Sequence, residues 1–182
     1  FTLAAILYFA QEKVDFGIFE VGMGGRLDAT NVLKPLVSVM TPISFDHEEH
    51  LGHTLAAIAR EKAAIIKPNA FVVSGEQKPK ARRVIQNQIR RRKAKRYFFG
   101  SSFRTQRETT SLKGGKFDFQ IGPRRWKNFR ISLLGRFQVR NAAVALASAS
   151  LLENQFGFPL KESMIRKGLK AAFCPGRFEI NL

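Results

Sequence analysis

The segment that most constrains the fold is a short, nearly continuous apolar run followed at once by a glycine-rich loop. Residues 14–21 have the sequence VDFGIFEV, and the loop contains Gly22, Gly24 and Gly25. A run that is apolar on both faces is typical of a parallel strand buried between layers of helices. The sequence therefore predicts a buried parallel strand over 14–21, with Glu20 at its end.

Strands and helices alternate through the rest of the chain. The predicted strands cover 36–40, 71–73 and 97–99, and the predicted helices cover 1–10, 54–66, 78–95, 138–154 and 160–171. Alternating polar and apolar residues within 100–135 predict antiparallel hairpins at the edge of the sheet. We therefore expect an α/β fold, a mostly parallel sheet flanked by helices with antiparallel edge hairpins.

Two polar residues follow predicted strands at the edge where ligands bind in open parallel sheets. Glu20 ends the first strand, and His47 comes just after the second. A carboxylate and an imidazole can hold a divalent cation, and carboxylates together with phosphate are typical of Mg²⁺ sites. An ordinary strand-end glutamate and a loop histidine remain the alternative.

Lys62 lies within an apolar stripe of the predicted helix 54–66. The other members of the stripe recur at helical spacing and are Leu55, Ile58, Ala59, Ile65 and Ile66. A lysine on a buried face loses hydration, so its neutral amine becomes easier to form. That amine can react with CO₂ to give a carbamate, an anionic oxygen ligand for Mg²⁺. A lysine that reaches from the stripe to solvent remains the alternative.

The chain is strongly basic. Its 182 residues contain 31 Lys and Arg against 14 Asp and Glu, a net charge of +17, with clusters at 78–83 and 90–96. One interpretation is a solvated helix face, and the other is attraction of polyanionic substrates or nonspecific nucleic-acid binding. We expect no specific nucleic-acid recognition, because no nucleic-acid fold motif is recognisable.

The ends of the chain and its cysteine content indicate the compartment. The chain begins with Phe1, has neither a basic start nor a cleavage site, and opens with only ten apolar-rich residues, too few to span a bilayer. The single cysteine, Cys174, suits a reducing compartment. We expect a cytoplasmic protein without membrane association, whose chain begins inside a longer one.

Seven motifs together resemble the folylpolyglutamate synthase and dihydrofolate synthase family of the Mur ligase superfamily. They are EVGMGGRLDATN at 20–31, FDH at 45–47, LG at 51–52, REKAAIIK at 60–67, VSGEQ at 73–77, LGRFQVRN at 134–141 and PGRFE at 175–179. The spacings among Glu20, His47 and Lys62 also match the family's metal site. The resemblance is weakest over 78–130.

The resemblance implies an activity and a set of site residues. The family joins a carboxylate to the amine of L-glutamate at the expense of ATP, through an acyl phosphate on folate or dihydropteroate. Glu20 and His47 would hold Mg²⁺, and Lys62 would be carbamylated and help to bind metal and phosphate. The other implied contacts are Leu27, Asp28 and Ala29 to the pterin, Asn141 to adenine and Arg177 to ATP. The full-length enzyme would be a monomer.

The chain also departs from the family pattern. It lacks the Gly-Lys-Ser/Thr phosphate loop and the upstream serine metal ligand, and it ends where the glutamate-binding domain would begin. Phe137 stands where many members carry His. We therefore expect residues 1–182 to form a partial central domain, incomplete at both ends and inactive alone.

Three functions remain open at this point. The first is an ATP-dependent glutamate ligase, acting as a dihydrofolate synthase, a folylpolyglutamate synthase or both. The second is a basic polyanion-binding module that kept the fold and lost catalysis. The third is another Mur-type ligase acting on a cell-wall precursor. The LDATN motif at 27–31 favours folate.

Overall fold

Three short parallel strands form the centre of the fold in the computed structural model, which describes residues 1–175. These strands are β1 (Val37–Met40), β2 (Phe71–Ser74) and β3 (Lys95–Phe98), and they lie in the order β1-β2-β3. Both pairs are parallel, with Val37 opposite Phe71 and Phe71 opposite Lys95. The predicted parallel sheet is confirmed for these strands, with β3 beginning two residues earlier than expected.

Six helices accompany the strands. They are α1 (Thr2–Gln11), α2 (Glu48–Leu51), α3 (Leu55–Ala63), α4 (Pro79–Arg91), α5 (Arg136–Phe156) and α6 (Glu162–Ala171), and a short 3₁₀ helix covers Ala29–Val32. Helices α3 and α4 pack with β1 and β2 around a core that includes Ile58, Val72 and Ile85. None of the helices within residues 1–175 is long and apolar enough to cross a membrane.

The antiparallel strands form a second sheet of their own. It consists of β4 (Phe103–Ser111), β5 (Gly114–Ile121) and β6 (Arg124–Ile131), in that order. A single bridge between Phe99, the residue after β3, and Phe103 joins the two sheets, so the hairpins do not extend the parallel sheet as predicted. Its inner face carries Phe117, Phe119 and Phe129, which pack with α5 in a second core. This large apolar face needs a helix to cover it, and α5 supplies that cover.

The prediction of a strand over 14–21 is wrong for this structure. Within residues 1–175 the segment pairs with no neighbour, and Ile18 is 92% exposed. Strands are stabilised by hydrogen bonds to a partner strand, which an apolar pattern cannot supply by itself. Aromatic contacts anchor the segment instead. The ring centres of Phe16 and Phe158 are 4.6 Å apart, and those of Phe19 and Phe9 are 5.5 Å apart.

Two helices are shorter than predicted. Helix α3 ends at Ala63 rather than 66, because the chain tightens and Ile65 N–H donates to the Lys62 carbonyl. Helix α4 ends at Arg91 rather than 95, because Lys93 adopts a left-handed conformation with φ of 53°. Helix α5 extends beyond 138–154 at both ends, and α6 agrees with its prediction within two residues.

A buried carboxylate fixes the register of the second sheet. Asp118 on β5 is 2% exposed and accepts a hydrogen bond from the backbone N–H of Asn128 at 2.9 Å. Two guanidinium groups also contact it, Arg107 at 3.2 Å and Arg125 at 3.4 Å. Both Arg107 and Asn128 have positive φ, where the register shifts on β4 and β6. The Asn128 N–H and the two arginines hold the pKa of Asp118 below its usual value, even though burial opposes this.

Candidate functional site

The glycine-rich loop is organised from within by the Asp28 carboxylate. One oxygen accepts hydrogen bonds from the Thr30 N–H at 2.8 Å and from the Thr30 hydroxyl. The other accepts from the backbone N–H groups of Gly22 at 3.0 Å and Met23 at 3.4 Å. These donors, the Thr30 hydroxyl above all, lower the pKa of Asp28. Asp28 is therefore the centre of the loop, a role that the sequence reasoning did not foresee.

The loop packs closely on the last turn of α3. A Cβ added to Gly25, whose φ is +154°, would lie 2.9 Å from the Glu61 carbonyl oxygen and 3.1 Å from that of Lys62. Only glycine leaves room for this approach. Arg26 adds an ion pair to Glu61, with Nε 3.0 Å from Oε1. The structure thus brings the glycine loop onto the turn that carries Lys62.

A second lysine, Lys67, connects the end of the loop to the segment before β2. Its ammonium group donates to the carbonyl oxygen of Asn31 and to Asn31 Oδ1, the latter at 2.7 Å. Burial, together with the nearby charge of Arg92, lowers the pKa of Lys67. The sequence analysis gave Lys67 no role of its own. The only available signal was its place at the end of the REKAAIIK motif.

Lys62 lies in the last turn of α3 and is half-buried. Its stripe neighbours Ile58 and Ala59 are fully buried, so the predicted burial of this helix face is confirmed. Ile65 and Ile66 follow the helix end rather than continuing the helical stripe. Lys62 is thus at the border between the apolar core under α3 and the glycine loop.

Glu20 and His47 are both exposed. His47 is the N-cap of α2 and has a left-handed backbone with φ of 49°, which is uncommon outside glycine and recurs at functional sites. Its Nε2 lies 3.6 Å from Asp46 Oδ2. Glu20 has no hydrogen bond or ion pair to the rest of the chain within residues 1–175. The convergence of Glu20, His47 and Lys62 in one cleft stays a prediction.

A buried glutamine fixes the loop that leads to His47. Gln77 Oε1 accepts from the Ile43 N–H at 3.0 Å, and Nε2 donates to the Thr41 carbonyl at 2.8 Å and to Ser74 Oγ at 3.2 Å. These bonds join the chain after β1 to the carboxyl end of β2. Gln77 is part of the VSGEQ motif, but its role depends on a partner segment 34 residues away, which spacing alone does not indicate.

A groove of about 390 Å³ lies beside the first turns of α5, lined by Glu76, Arg136, Phe137 and Arg140. The two arginines hold Glu108 of β4 at 3.2 Å each. The guanidinium of Arg140 also lies 4.4 Å from the centre of the Phe99 ring.

Asn141 is the next residue of α5 after this groove. It is exposed, and its Nδ2 donates to Gln138 Oε1 at 3.1 Å. The other predicted ATP contact, Arg177, lies outside the described residues. Leu27 is 82% exposed and Ala29 is exposed as well, so both side chains are free to contact a ligand.

The two residues predicted to bind metal, Glu20 and His47, would suit Mg²⁺ rather than a metal held by protein ligands alone. Within residues 1–175 no three His, Cys, Asp or Glu side chains cluster in a way that could hold a metal ion. Mg²⁺ commonly takes only one or two protein ligands and completes its octahedral shell with water and substrate phosphates. Glu20 and His47 match that small donor number, whereas a structural zinc site needs four ligands.

Comparison with known proteins tests the resemblance. The family model of the Mur ligase middle domain matches residues 1–149. Folylpolyglutamate synthase from Lacticaseibacillus casei is 37% identical over 178 residues, covering 98% of this chain and 42% of the relative. The dihydrofolate synthase/folylpolyglutamate synthase of Bacillus subtilis is 38% identical over 180 residues, covering 98% of this chain and 42% of the relative.

A solved structure agrees with these relatives. A folylpolyglutamate synthase in complex with AMPPCP and folate matches with a TM-score of 0.93 at 36% identity, covering 96% of this chain and 43% of that one. The chain therefore spans less than half the length of the relatives that it matches. Both the α/β fold and the motif-based resemblance are confirmed, and the chain belongs to the Mur ligase family, where it is similar over the middle domain to folylpolyglutamate and dihydrofolate synthases.

Proposed function

We propose that this chain is the catalytic middle part of an ATP-dependent ligase that joins L-glutamate to folate or dihydropteroate through an acyl phosphate. The observation that carries the proposal is the EVGMGGRLDATN loop folded onto the turn of α3 that bears Lys62. The same fold occurs in a synthase that binds an ATP analogue and folate, which supports a common substrate class.

The loop presents its apolar residues to the pterin. The four hydrogen bonds to Asp28 fix the loop backbone, so Leu27 and Ala29 on either side are held in exposed positions. Preorganised apolar contacts suit a flat aromatic ring, because little conformational entropy is lost on binding. The Asp28 carboxylate acts mainly through the loop, since its oxygens already accept four bonds from the protein.

Glu20 and His47 would hold Mg²⁺ together with the phosphates of ATP. The ion would neutralise charge on the phosphate that is transferred to the substrate carboxylate. His47 is held on a loop that Gln77 fixes at Thr41 and Ile43, and the exposed carboxylate of Glu20 is free of protein partners among residues 1–175. Glu20 can therefore turn to a ligand without losing a contact, and His47 can do so by leaving only Asp46.

Lys62 would act as a carbamate. Lys62 is half-buried beside the fully buried Ile58 and Ala59, in the turn on which the glycine loop packs. Reaction of the amine with CO₂ forms an N–C bond, releases one proton and leaves an anionic group that can approach the metal. Arginine would keep its charge and cannot undergo this reaction.

ATP would lie against the first turns of α5. The groove is lined by Arg136, Phe137 and Arg140, and the exposed amide of Asn141, the next residue of the helix, could bond the edge of adenine. Arg177 would contact the nucleotide as well. Phe137 stands where many family members carry His, and its ring offers an aromatic face for stacking but no hydrogen-bonding group.

The test is a ligation assay on a protein that contains this chain and has the full length of the relatives. Purified protein with Mg²⁺ and ATP should release ADP only when both glutamate and a pterin substrate are present. Dihydropteroate and folate are supplied separately, and the one that supports turnover identifies the activity. A protein that releases ADP equally without a pterin substrate would contradict the proposal.

Matched variants test the metal ligands. Glu20→Ala and His47→Ala should lower turnover by at least a hundredfold, because metal electrostatics contribute on the order of several kcal/mol. Glu12→Ala and His53→Ala remove the same side chains from other exposed positions and should leave turnover unchanged. Melting curves of all four should lie close together.

We also expect a cytoplasmic monomer, which light scattering and fractionation can check.

A further inference from the structure

The most basic segment of the chain comprises α4 and the start of β3. Residues 77–96 contain ten Lys and Arg and no Asp or Glu. Within residues 1–175, none of these ten cations lies within ion-pair distance of a carboxylate. The ion pairs of the chain form elsewhere, so this positive charge is not neutralised by the fold.

Helix geometry sorts these cations onto one outer face. Ala81, Ile85 and Ile89 are buried against the core. The opposite face carries exposed cations at helical spacing, which are Lys80, Arg83, Arg90 and Arg91 and are called the basic stripe below. The stripe is about 16 Å long at 1.5 Å per residue. One strand of a nucleic-acid duplex places about five phosphates over that length.

Helix stability does not account for this charge. Cations stabilise the carboxyl end of a helix through its dipole, which can explain Arg90 and Arg91. The amino end of α4 begins at the N-cap Lys78, has Lys80 next to it and contains no acidic residue in its first turn. Cations are unfavourable there, and they also repel each other. An external anion would remove both penalties.

The surroundings of the stripe distinguish between anionic partners. No large apolar side chain between residues 77 and 107 is exposed, and the exposed ring of Phe45 lies only at the amino end of α4, its centre 5.9 Å from Lys78 Nζ, so the stripe carries no row of apolar side chains to insert into a lipid bilayer. Within the stripe, a bond to Asn87 Oδ1 orients the guanidinium of Arg90. Outside the stripe, Arg82 is also held in place, with its guanidinium 5.0 Å from the centre of the Phe98 ring. Planar, preoriented guanidinium groups suit phosphate oxygens. We propose that the basic stripe of α4 binds the phosphate backbone of nucleic acid without sequence preference.

Salt dependence of binding provides the test. The probe is a fluorescein-labelled 20-base-pair DNA duplex, and its anisotropy is measured with the 182-residue chain between about 50 and 200 mM salt. The variant replaces Lys80, Arg83, Arg90 and Arg91 by Gln. It should bind at least tenfold more weakly. The slope of log affinity against log salt concentration should be smaller in magnitude by about 3–4. The reason is that each phosphate the variant no longer neutralises reduces the slope by about 0.9.

A control variant removes the same charge from a different surface. Lys113, Lys116, Lys127 and Arg130 are exposed on the second sheet and have no ion-pair partner within the described part of the chain. The variant in which these four residues are replaced by Gln should keep at least half of the DNA affinity of the unsubstituted chain. Equal weakening in both variants would overturn the proposal, since net charge alone would then explain binding. Circular dichroism verifies that both variants fold.

Two further measurements complete the test. A second duplex of scrambled sequence should bind within threefold of the first, and a strong sequence preference would contradict backbone recognition. Vesicles of phosphatidylcholine and phosphatidylserine are compared at equal phosphate concentration. Tighter binding to vesicles than to the duplex would overturn the assignment in favour of a membrane surface.

Discussion

Substitution of Gly25 by alanine tests the contact that joins the glycine loop to α3. The added methyl group would lie 2.9 Å from the backbone oxygen of Glu61 and 2.9 Å from Ile65 Cγ2. A backbone oxygen cannot move away without disturbing the last turn of α3. Forced overpacking and an unfavourable φ together cost about 2–4 kcal/mol of unfolding free energy. The midpoint of thermal unfolding should fall by about 4–16 °C in a chain of this size.

The matched control for Gly25→Ala is Gly22→Ala in the same loop. A Cβ at Gly22 meets only Asp28 Oδ2, at 3.5 Å, which is ordinary contact. Its N–H continues to donate to Asp28 after substitution. Thermal melting followed by circular dichroism should therefore show a small change for Gly22→Ala and a large one for Gly25→Ala. Melting midpoints within about 2 °C of each other would refute the packing argument.

Three further predictions concern individual side chains. Asp118→Asn should cost about 1.5–3 kcal/mol, because a buried charge-assisted hydrogen bond is weakened. Since the folded pKa of Asp118 is lowered, its stabilisation is present above the carboxyl pKa of the unfolded chain and is lost as pH falls through the lower folded value. Denaturant titrations from pH 7 to pH 2 should show a smaller acid loss in Asp118→Asn, and an equal loss would contradict this. Asn31→Ala should cost about 1–3 kcal/mol by leaving the Lys67 ammonium without its side-chain acceptor, measured by urea unfolding; an unchanged midpoint would show that water replaces the bond. In the full-length protein, Lys62→Ala should lose turnover and regain part of it with a short carboxylic acid, whereas full activity of Lys62→Arg would rule out the carbamate.

Local patterns in the sequence were enough to predict most elements. Apolar-rich runs of five and three residues identified β1 and β2, and the helical spacing of Leu55, Ile58 and Ala59 identified the buried face of α3. These signals are readable because side-chain periodicity and turn residues depend on neighbours within one or two turns. The motifs by themselves likewise indicate the family.

These local patterns do not indicate which segments distant in the chain contact each other. The apolar run at 14–21 predicted a strand, yet strand formation depends on a neighbour that local spacing does not specify. The second sheet became separate from the first because its aromatic face is covered by α5, a helix that follows it in the chain. The alternation of polar and apolar residues predicted antiparallel hairpins but did not indicate that they form a separate sheet.

The sequence by itself determined the α/β class, the order of the elements and the family, since these depend on local periodicity and on motif residues in fixed order. Only the tertiary structure decided what several motif residues do. It made Asp28 the centre of the glycine loop, and it brought Lys67 to Asn31 across 36 residues of chain. It also made Gly25 a close contact of α3. These roles arise when two distant segments meet, and the hydrogen bonds and van der Waals distances that define them exist only in the folded chain.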